Sequence, residues 1–198
     1  IEAPLYINGE NNGILAEIAF QHTDNYDERI ISFVNNILTC DGGTHEEGFK
    51  AGFTKVLNDF ARSVNLLKEK DENLLGEDYR EGLTCVISIK MKNAQFEGQT
   101  KGKLGNPEAK VAVMQIAVEQ LKILCENKKN KSVFTAIVGK AVNASKARKA
   151  AKQAKMIARG KKDADSFNLV GKLASCSSRK SEENELFIVE GDSAGGSA

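Results

Sequence analysis

Three stretches carry side chains whose types and spacing suit work on phosphates or metal ions. Gln99-Thr100-Lys101 lies between Gly98 and Gly102 and offers an amide, a hydroxyl and an ammonium within three residues. Lysine supplies a point charge for phosphate, and the amide supplies a neutral donor. An exposed loop with a solvated lysine uses the same residues, so these three alone leave both readings open. The segment 127–162 holds 12 Lys or Arg and no Asp or Glu, which leaves 16 basic and 27 acidic residues elsewhere, a balance of −11. Within it Arg148, Lys152, Lys155, Arg159 and Lys162 recur at spacings of 4, 3, 4 and 3, with Lys146 and Lys149 beside them. Ala147, Ala151, Ala154 and Ala158 form a neighbouring stripe. On a helix this spacing makes a cationic ridge beside a smooth one, suited to a polyanion. No aromatic residue is interleaved, so the contact would be to a nucleic-acid backbone and independent of base sequence. The plain alternative is a solvated helix whose charges confer solubility. Glu190, followed by Gly191-Asp192-Ser193, closes the apolar run Glu185–Val189. A carboxylate at the C-terminal end of a strand can act as a general base or bind Mg²⁺. Alone it is an incomplete site, and a simple turn at a strand end reads the same way.

Other chemistry is poorly supported. His22 ends an apolar stretch and His45 sits at a helix start, so both read as structural. There is no P-loop, G-x-G-x-x-G or Ser/His/Asp constellation. Cys40, Cys85, Cys125 and Cys176 form no C-x-x-C pair, which argues against zinc and for reduced thiols in a cytosolic protein. No apolar run approaches the roughly 18–20 residues of a membrane span, and no signal-peptide pattern opens the chain. Ile1 is not an initiator residue and Gly195-Gly196-Ser197-Ala198 does not resemble a natural end, so the chain reads as part of a longer protein. Its 198 residues, 41% hydrophobic and 28% charged, suit one soluble domain with a short extension.

The elements that must position these residues follow from pattern. Glu2–Ile7, ended by Asn8-Gly9, Ile14–His22 and Glu28–Thr39 read as strands. Asp41-Gly42-Gly43 breaks the chain. Thr44 and Glu47 form a capping-box pattern opening a helix with Phe49, Phe53, Val56, Phe60 and Val64 on one face. Residues 68–82 read as loop, Leu83–Met91 as a strand and 92–105 as loop. Asn106-Pro107 suits a helix start, with the asparagine as cap and the proline at the first helical position. Val111, Met114, Val118, Leu121 and Cys125 mark the expected buried stripe of that helix. A third helix is expected over Ser132–Arg159, and Glu185–Val189 as a short strand. Two helices on one sheet point to an α+β or α/β fold.

Three motifs in order give a family resemblance. Gly42-Gly43-Thr44-His45-Glu46-Glu47-Gly48-Phe49 resembles the G-G-T-H-x-x-G-F signature of the B subunits of bacterial type IIA DNA topoisomerases. Gln95–Lys101 is similar to that family's Q-T-K loop, and Glu190–Ala198 to the opening of its Toprim domain. Gly171-Lys172-Leu173-Ala174 and Cys176 resemble its G-K-L-A-D-C segment, with Ser175 in place of the aspartate. The stretch Gln99–Asn106 looks more like the gyrase branch of the family than the topoisomerase IV branch. The resemblance implies an α+β transducer with the fold of the second domain of ribosomal protein S5, a four-stranded sheet backed by helices with a left-handed crossover. It implies a transducer over 1–163, a linker over 164–184 and a truncated Toprim start over 185–198. By the same resemblance Lys101 contacts the ATP γ-phosphate with help from Gln99, in a nucleotide site built by a preceding domain. The basic helix (Lys146, Arg148, Lys149, Lys152, Lys155, Arg159, Lys162) faces DNA. Glu190 is the catalytic and Mg²⁺-binding carboxylate, with its fellow ligands beyond Ala198. The implied partners are DNA, the enzyme's A subunit, which carries the nucleophilic tyrosine, and a second B subunit in an A2B2 assembly. No membrane partner is implied, and the location is cytoplasmic. A non-catalytic nucleic-acid-binding module is the rival from another class; it leaves the Q-T-K and E-G-D-S-A-G-G motifs unexplained.

Overall fold

The structure is a computed structural model that describes residues 3–166, 180 and 182, with side chains described for 3–159, 180 and 182. The chain divides into two compact units, 1–148 and 149–198.

The first unit is built on a mixed five-stranded sheet. Its strands are β1 (Leu5–Asn11), β2 (Ile14–His22), β3 (Arg29–Val34), β4 (Ile37–Leu38) and β5 (Leu83–Lys90), in the order β1-β2-β5-β3-β4. All neighbours are antiparallel except β3 and β5, which run parallel. The expected four-stranded sheet therefore gains a two-residue edge strand. The reason is a turn hidden inside the run read as one strand over Glu28–Thr39. Asn35 and Asn36 both adopt positive φ (50° and 67°), the backbone of a tight hairpin turn. Similarly β1 does not stop at Asn8-Gly9. Both residues stay in the ladder opposite Glu17 and Ala16, and the chain turns at Asn12-Gly13. Gly9 is small because the helix carrying Ile116 lies over it: a Cβ there would stand 2.9 Å from Ile116 Cγ2.

Alternation along β2 buries Ile14, Ala16, Ile18 and Phe20, and along β5 Leu83, Cys85, Ile87 and Ile89. Helices α1 (Thr44–Ser63) and α3 (Pro107–Glu126) supply much of the rest of this core, joined by Tyr79 and by Phe134, Ile137, Val138 and Ala141. From α1 come Phe49, Phe53, Val56, Leu57 and Phe60, and Phe20 meets Phe53 edge-on at 5.5 Å. The buried stripe of α3 is Ala109, Ala112, Val113, Ile116, Ala117 and Leu121. This corrects the expected stripe: Leu121 belongs to it, Met114, Val118 and Cys125 are partly buried, and Val111 is 52% exposed. The buried stripe includes three alanines, so a search for bulky side chains selects a face turned by about one residue; in the contact between the two helices, it is Gly48 and Gly52 that let α1 approach Lys110, Met114 and Ala117 closely.

Two helix starts also differ from expectation. Gly43, not Thr44, is the N-cap residue of α1; the Thr44 hydroxyl is buried without a described partner, and Glu47 accepts from Lys110 Nζ at 2.8 Å. The capping box is therefore not formed. Inside the segment read as loop, 76–80 forms a short helix, α2 (Gly76–Arg80). A small hairpin, β6 (Phe96–Glu97) and β7 (Lys103–Leu104), occupies the stretch read as loop over 92–105. The last described element, α4 (Lys131–Ser166), begins one residue before the expected start and runs past Arg159. Among the described residues no helix is long and apolar enough to cross a membrane. The expected strand Glu185–Val189, the Gly171–Cys176 segment and Glu190 lie outside the described residues.

Candidate nucleotide-sensing hairpin and basic helix

Gln99, Thr100 and Lys101 form the exposed tip between β6 and β7. Gly98 and Lys101 both take positive φ (76° and 55°), which folds the tip into a tight turn. What positions the tip is β7. Leu104 is fully buried, its N–H donates to the Gly42 carbonyl (3.0 Å), and Asp41 N–H donates to the Gly102 carbonyl (2.9 Å). Gly43 and Leu104 pair as an isolated parallel bridge. A Cβ on Gly43 would stand 2.5 Å from both Leu104 N and Leu104 O, and its φ of 139° is one that side chains rarely allow. The G-G-T-H and Q-T-K motifs, far apart in sequence, are thus one backbone-bonded unit.

Asn106 secures the hairpin base. It stands at the N-cap of α3 with Pro107 following, but its side chain does not cap the helix. Instead its Oδ1 accepts from Gln95 N–H (2.6 Å), and its Nδ2 donates to the Asn93 carbonyl (3.0 Å) and to Glu108 (2.7 Å). Gly105 N–H donates to the Gln95 carbonyl at 2.9 Å.

Beneath the Gly42-Gly43 turn lies a buried polar cluster. The Thr39 hydroxyl lies 2.9 Å from the Ser32 carbonyl, 2.5 Å from Ser32 Oγ and 3.2 Å from His45 Nε2, so the three residues form one hydrogen-bonded group. Burial holds the His45 ring at a pKa of about 4, so it is neutral at neutral pH. The Ser32 hydroxyl donates to Glu46 Oε1 at 2.6 Å. From there ion pairs continue: Glu46 to Lys50 (3.7 Å), Lys50 to Glu28 (3.2 Å) and Glu28 to Arg80 of α2 (2.9 Å). His22 is the second buried histidine; its Nε2–H donates to the Tyr79 carbonyl at 2.8 Å, and burial lowers its pKa. Both histidines are packed into the structure rather than presented to solvent.

The basic residues of α4 divide by setting. Lys140 Nζ donates to the carbonyls of Thr23 (2.8 Å) and Asn25 (2.6 Å) and lies 5.5 Å from the centre of the Tyr26 ring. Arg148 binds Asp78 with two parallel bonds, Nε to Oδ1 and Nη2 to Oδ2, each 2.9 Å, and also meets Glu77 at 3.1 Å. Lys146, Lys149, Lys152, Lys155 and Arg159 are exposed, and Lys162 follows on the same helix. Sequence reasoning missed Asp78 and Lys140. The segment holding Asp78 was read as loop, and a lysine bonded to carbonyls looks like any other in sequence.

The family model for DNA gyrase B matches residues 1–157. The chain belongs to the DNA gyrase B family. It is 53% identical to the DNA gyrase B subunit of Streptococcus pyogenes over all 198 residues, which is 30% of that protein. It is 54% identical over 196 residues, 98% of the chain, to the DNA gyrase B subunit of Enterococcus faecalis, again 30% of the relative. Among solved structures it resembles the 43K ATPase domain of Thermus thermophilus gyrase B in complex with an aminocoumarin, with a TM-score of 0.72 and 40% identity; the match covers 79% of this chain and 42% of that one. It also resembles the topoisomerase IV ATP-binding domain of Francisella tularensis, with a TM-score of 0.62 and 29% identity, over 73% of this chain and 39% of that one. The chain therefore spans about 30% of the length of these gyrase B relatives. Membership of this family agrees with the gyrase-like reading of Gln99–Asn106.

Proposed function

We propose that this chain is the transducer of an ATP-dependent type IIA topoisomerase of the gyrase kind, with residues 1–163 as transducer, 164–184 as linker and 185–198 as the start of a Toprim domain. It couples ATP binding and hydrolysis in the family's preceding domain to DNA strand passage. The observation that carries this reading is the Gln99–Lys101 tip, exposed and held by backbone bonds to the Gly42-Gly43 turn in a gyrase B-family chain. An ammonium and an amide on a rigid hairpin fit a terminal phosphate: Lys101 takes the γ-phosphate and Gln99 helps hold it. Loss of that phosphate removes the charge Lys101 binds, so the hairpin reports hydrolysis as a movement of the elements bonded to it.

The exposed cations Lys146, Lys149, Lys152, Lys155 and Arg159, with Lys162 following on the same helix, provide a sequence-independent surface for the DNA backbone. Arg148 contributes less to this surface, because its guanidinium is already held by Asp78. Glu190 serves cleavage and religation and binds Mg²⁺ with ligands from the rest of the Toprim domain. The working assembly contains two B-type chains and two gyrase A subunits, is cytoplasmic and acts away from membranes. By this reading the chain alone neither hydrolyses ATP nor cuts DNA.

The test is ATP turnover by the full-length gyrase B protein with Lys101→Ala. Removing a charge-assisted contact to a transferring phosphoryl group should cost on the order of 10²-fold or more in rate, with folding unchanged. Unchanged turnover would make Lys101 a solvated loop residue and favour a non-catalytic nucleic-acid-binding module.

A further inference from the structure

We propose that Asp78 is a positioning residue which, by holding Arg148, links the Gln99–Lys101 hairpin to the basic part of α4. The inference rests on the transducer reading above. The buried residues of α4 step through Phe134, Ile137, Val138 and Ala141 to Ser145, so its packed side changes from apolar to polar as it nears Arg148. Arg148 is half-buried, and every residue from 149 to 159 is exposed. The contact that closes this packed stretch is thus an ion pair and not an apolar one.

That distinction matters mechanically. Small side chains such as Ala141 and Ser145 make a smooth contact that resists sliding and rotation only weakly. A planar guanidinium bonded twice to one carboxylate fixes orientation as well as distance. Asp78 is itself held: its side chain is 2% exposed, and Oδ2 also accepts the Leu75 N–H at 3.0 Å. A buried carboxylate of this kind must stay paired, so the contact is either made or broken.

The other end of the link is the polar cluster below the Gly42-Gly43 turn. Asp78 and Arg80 share α2, and Arg80 continues through Glu28, Lys50 and Glu46 to Ser32. The same turn carries the backbone bonds to Gly102 and Leu104 that hold the hairpin. A shift of the hairpin changes partners in this series of discrete contacts, and Asp78 passes the change to Arg148.

The measurement is the number of supercoils introduced per ATP hydrolysed by the full-length gyrase B protein in complex with gyrase A. Asp78→Asn keeps the size of the side chain and an acceptor for Leu75 but removes the charge. ATP turnover should stay within about twofold, while supercoils per ATP fall about tenfold, the scale of a typical coupling between sites. Arg148→Gln should lower the same ratio, and the double variant should be no worse than either single one. If Asp78→Asn fails to fold, the double variant, which leaves no buried charge, carries the test. Several outcomes overturn the inference: an unchanged ratio, turnover and supercoiling falling together, or losses that multiply in the double variant. A ratio lowered by Arg148→Gln but not by Asp78→Asn would also overturn it, since Arg148 would then act on DNA directly. Lys101→Ala separates the two readings. Normal turnover in that variant sinks the transducer reading itself, whereas reduced turnover with an unchanged ratio in Asp78→Asn sinks only this inference.

Discussion

Single residues under the Gly42-Gly43 turn carry two measurable consequences. His45 has a pKa near 6.5 when unfolded and about 4 when folded. Below pH 6.5 the unfolded chain therefore binds a proton that the folded chain refuses. The stability is complete above pH 6.5 and is lost as pH falls toward 4, by about 3 kcal/mol over that window. His22 acts in the same direction. An NMR titration should find the His45 ring still neutral at pH 5, and a midpoint near 6.5 would contradict the burial argument. Gly43→Ala tests the other consequence. Its Cβ would meet the Leu104 backbone, so the variant should lose about 2 kcal/mol or more in urea denaturation. In the full-length gyrase B protein it should also lower ATP turnover, because the Lys101 hairpin is displaced. Full stability and turnover together would mean that the bridge to Leu104 does not position the loop.

At the scale of elements, the packing of α1 on α3 decides where substitution is tolerated. Helix propensity alone predicts that Gly48→Ala stabilises α1 by about 1 kcal/mol. A Cβ at Gly48, however, would overlap the Lys110 carbonyl oxygen, so the helices would have to separate. The expected result is a net loss of about 1–3 kcal/mol. Gly139 in α4 is the control, since a Cβ there meets nothing within 4 Å, and Gly139→Ala should gain roughly 0.5–1 kcal/mol. Thermal melts of the two variants should shift in opposite directions. A stabilised Gly48→Ala would show that the helix pair has room to spare. The elements were legible to different degrees. Ile14–His22 is read correctly because its near alternation of apolar and polar residues matches the alternating burial of the strand and its neighbours are turns. The β3–β4 hairpin is not, because Asn35-Asn36 sits within a run of β-branched and aromatic residues and only its positive φ values reveal the turn. The α3 stripe is misread because alanine carries little weight in a search for apolar bulk, although Ala109, Ala112 and Ala117 are all buried.

For the molecule as a whole, the separation of charge makes a quantitative claim. If the exposed cations of α4 meet the DNA backbone, affinity must fall with salt. The slope of log K against log salt should be about −0.9 per phosphate neutralised. Replacing Lys152, Lys155 and Arg159 by glutamine in the complete enzyme should flatten that slope by up to about 0.9 for each phosphate no longer neutralised, equally for all DNA sequences. An unchanged slope would return the basic helix to the role of a solvated surface. The chain alone, lacking the domain that builds the nucleotide site in the proposed mechanism, should show no steady ATP turnover. Turnover in the isolated chain would contradict the proposed coupling role.

The family, the position of the Q-T-K tip and the basic ridge of α4 can all be read from the residues in order. Each is local: a short motif, a run of like charges or a helical spacing is visible without knowing what lies opposite. What holds the tip in place, and which cations are spoken for, emerges only when the chain folds. The Gly43–Leu104 bridge, the Asn106 clamp on Gln95, the Lys140 bonds to Thr23 and Asn25 and the Arg148–Asp78 pair join residues separated along the chain. A lysine or arginine committed to such a partner has the same letter as one free for phosphate. Its partner is chosen by packing, so the difference exists only in the folded chain.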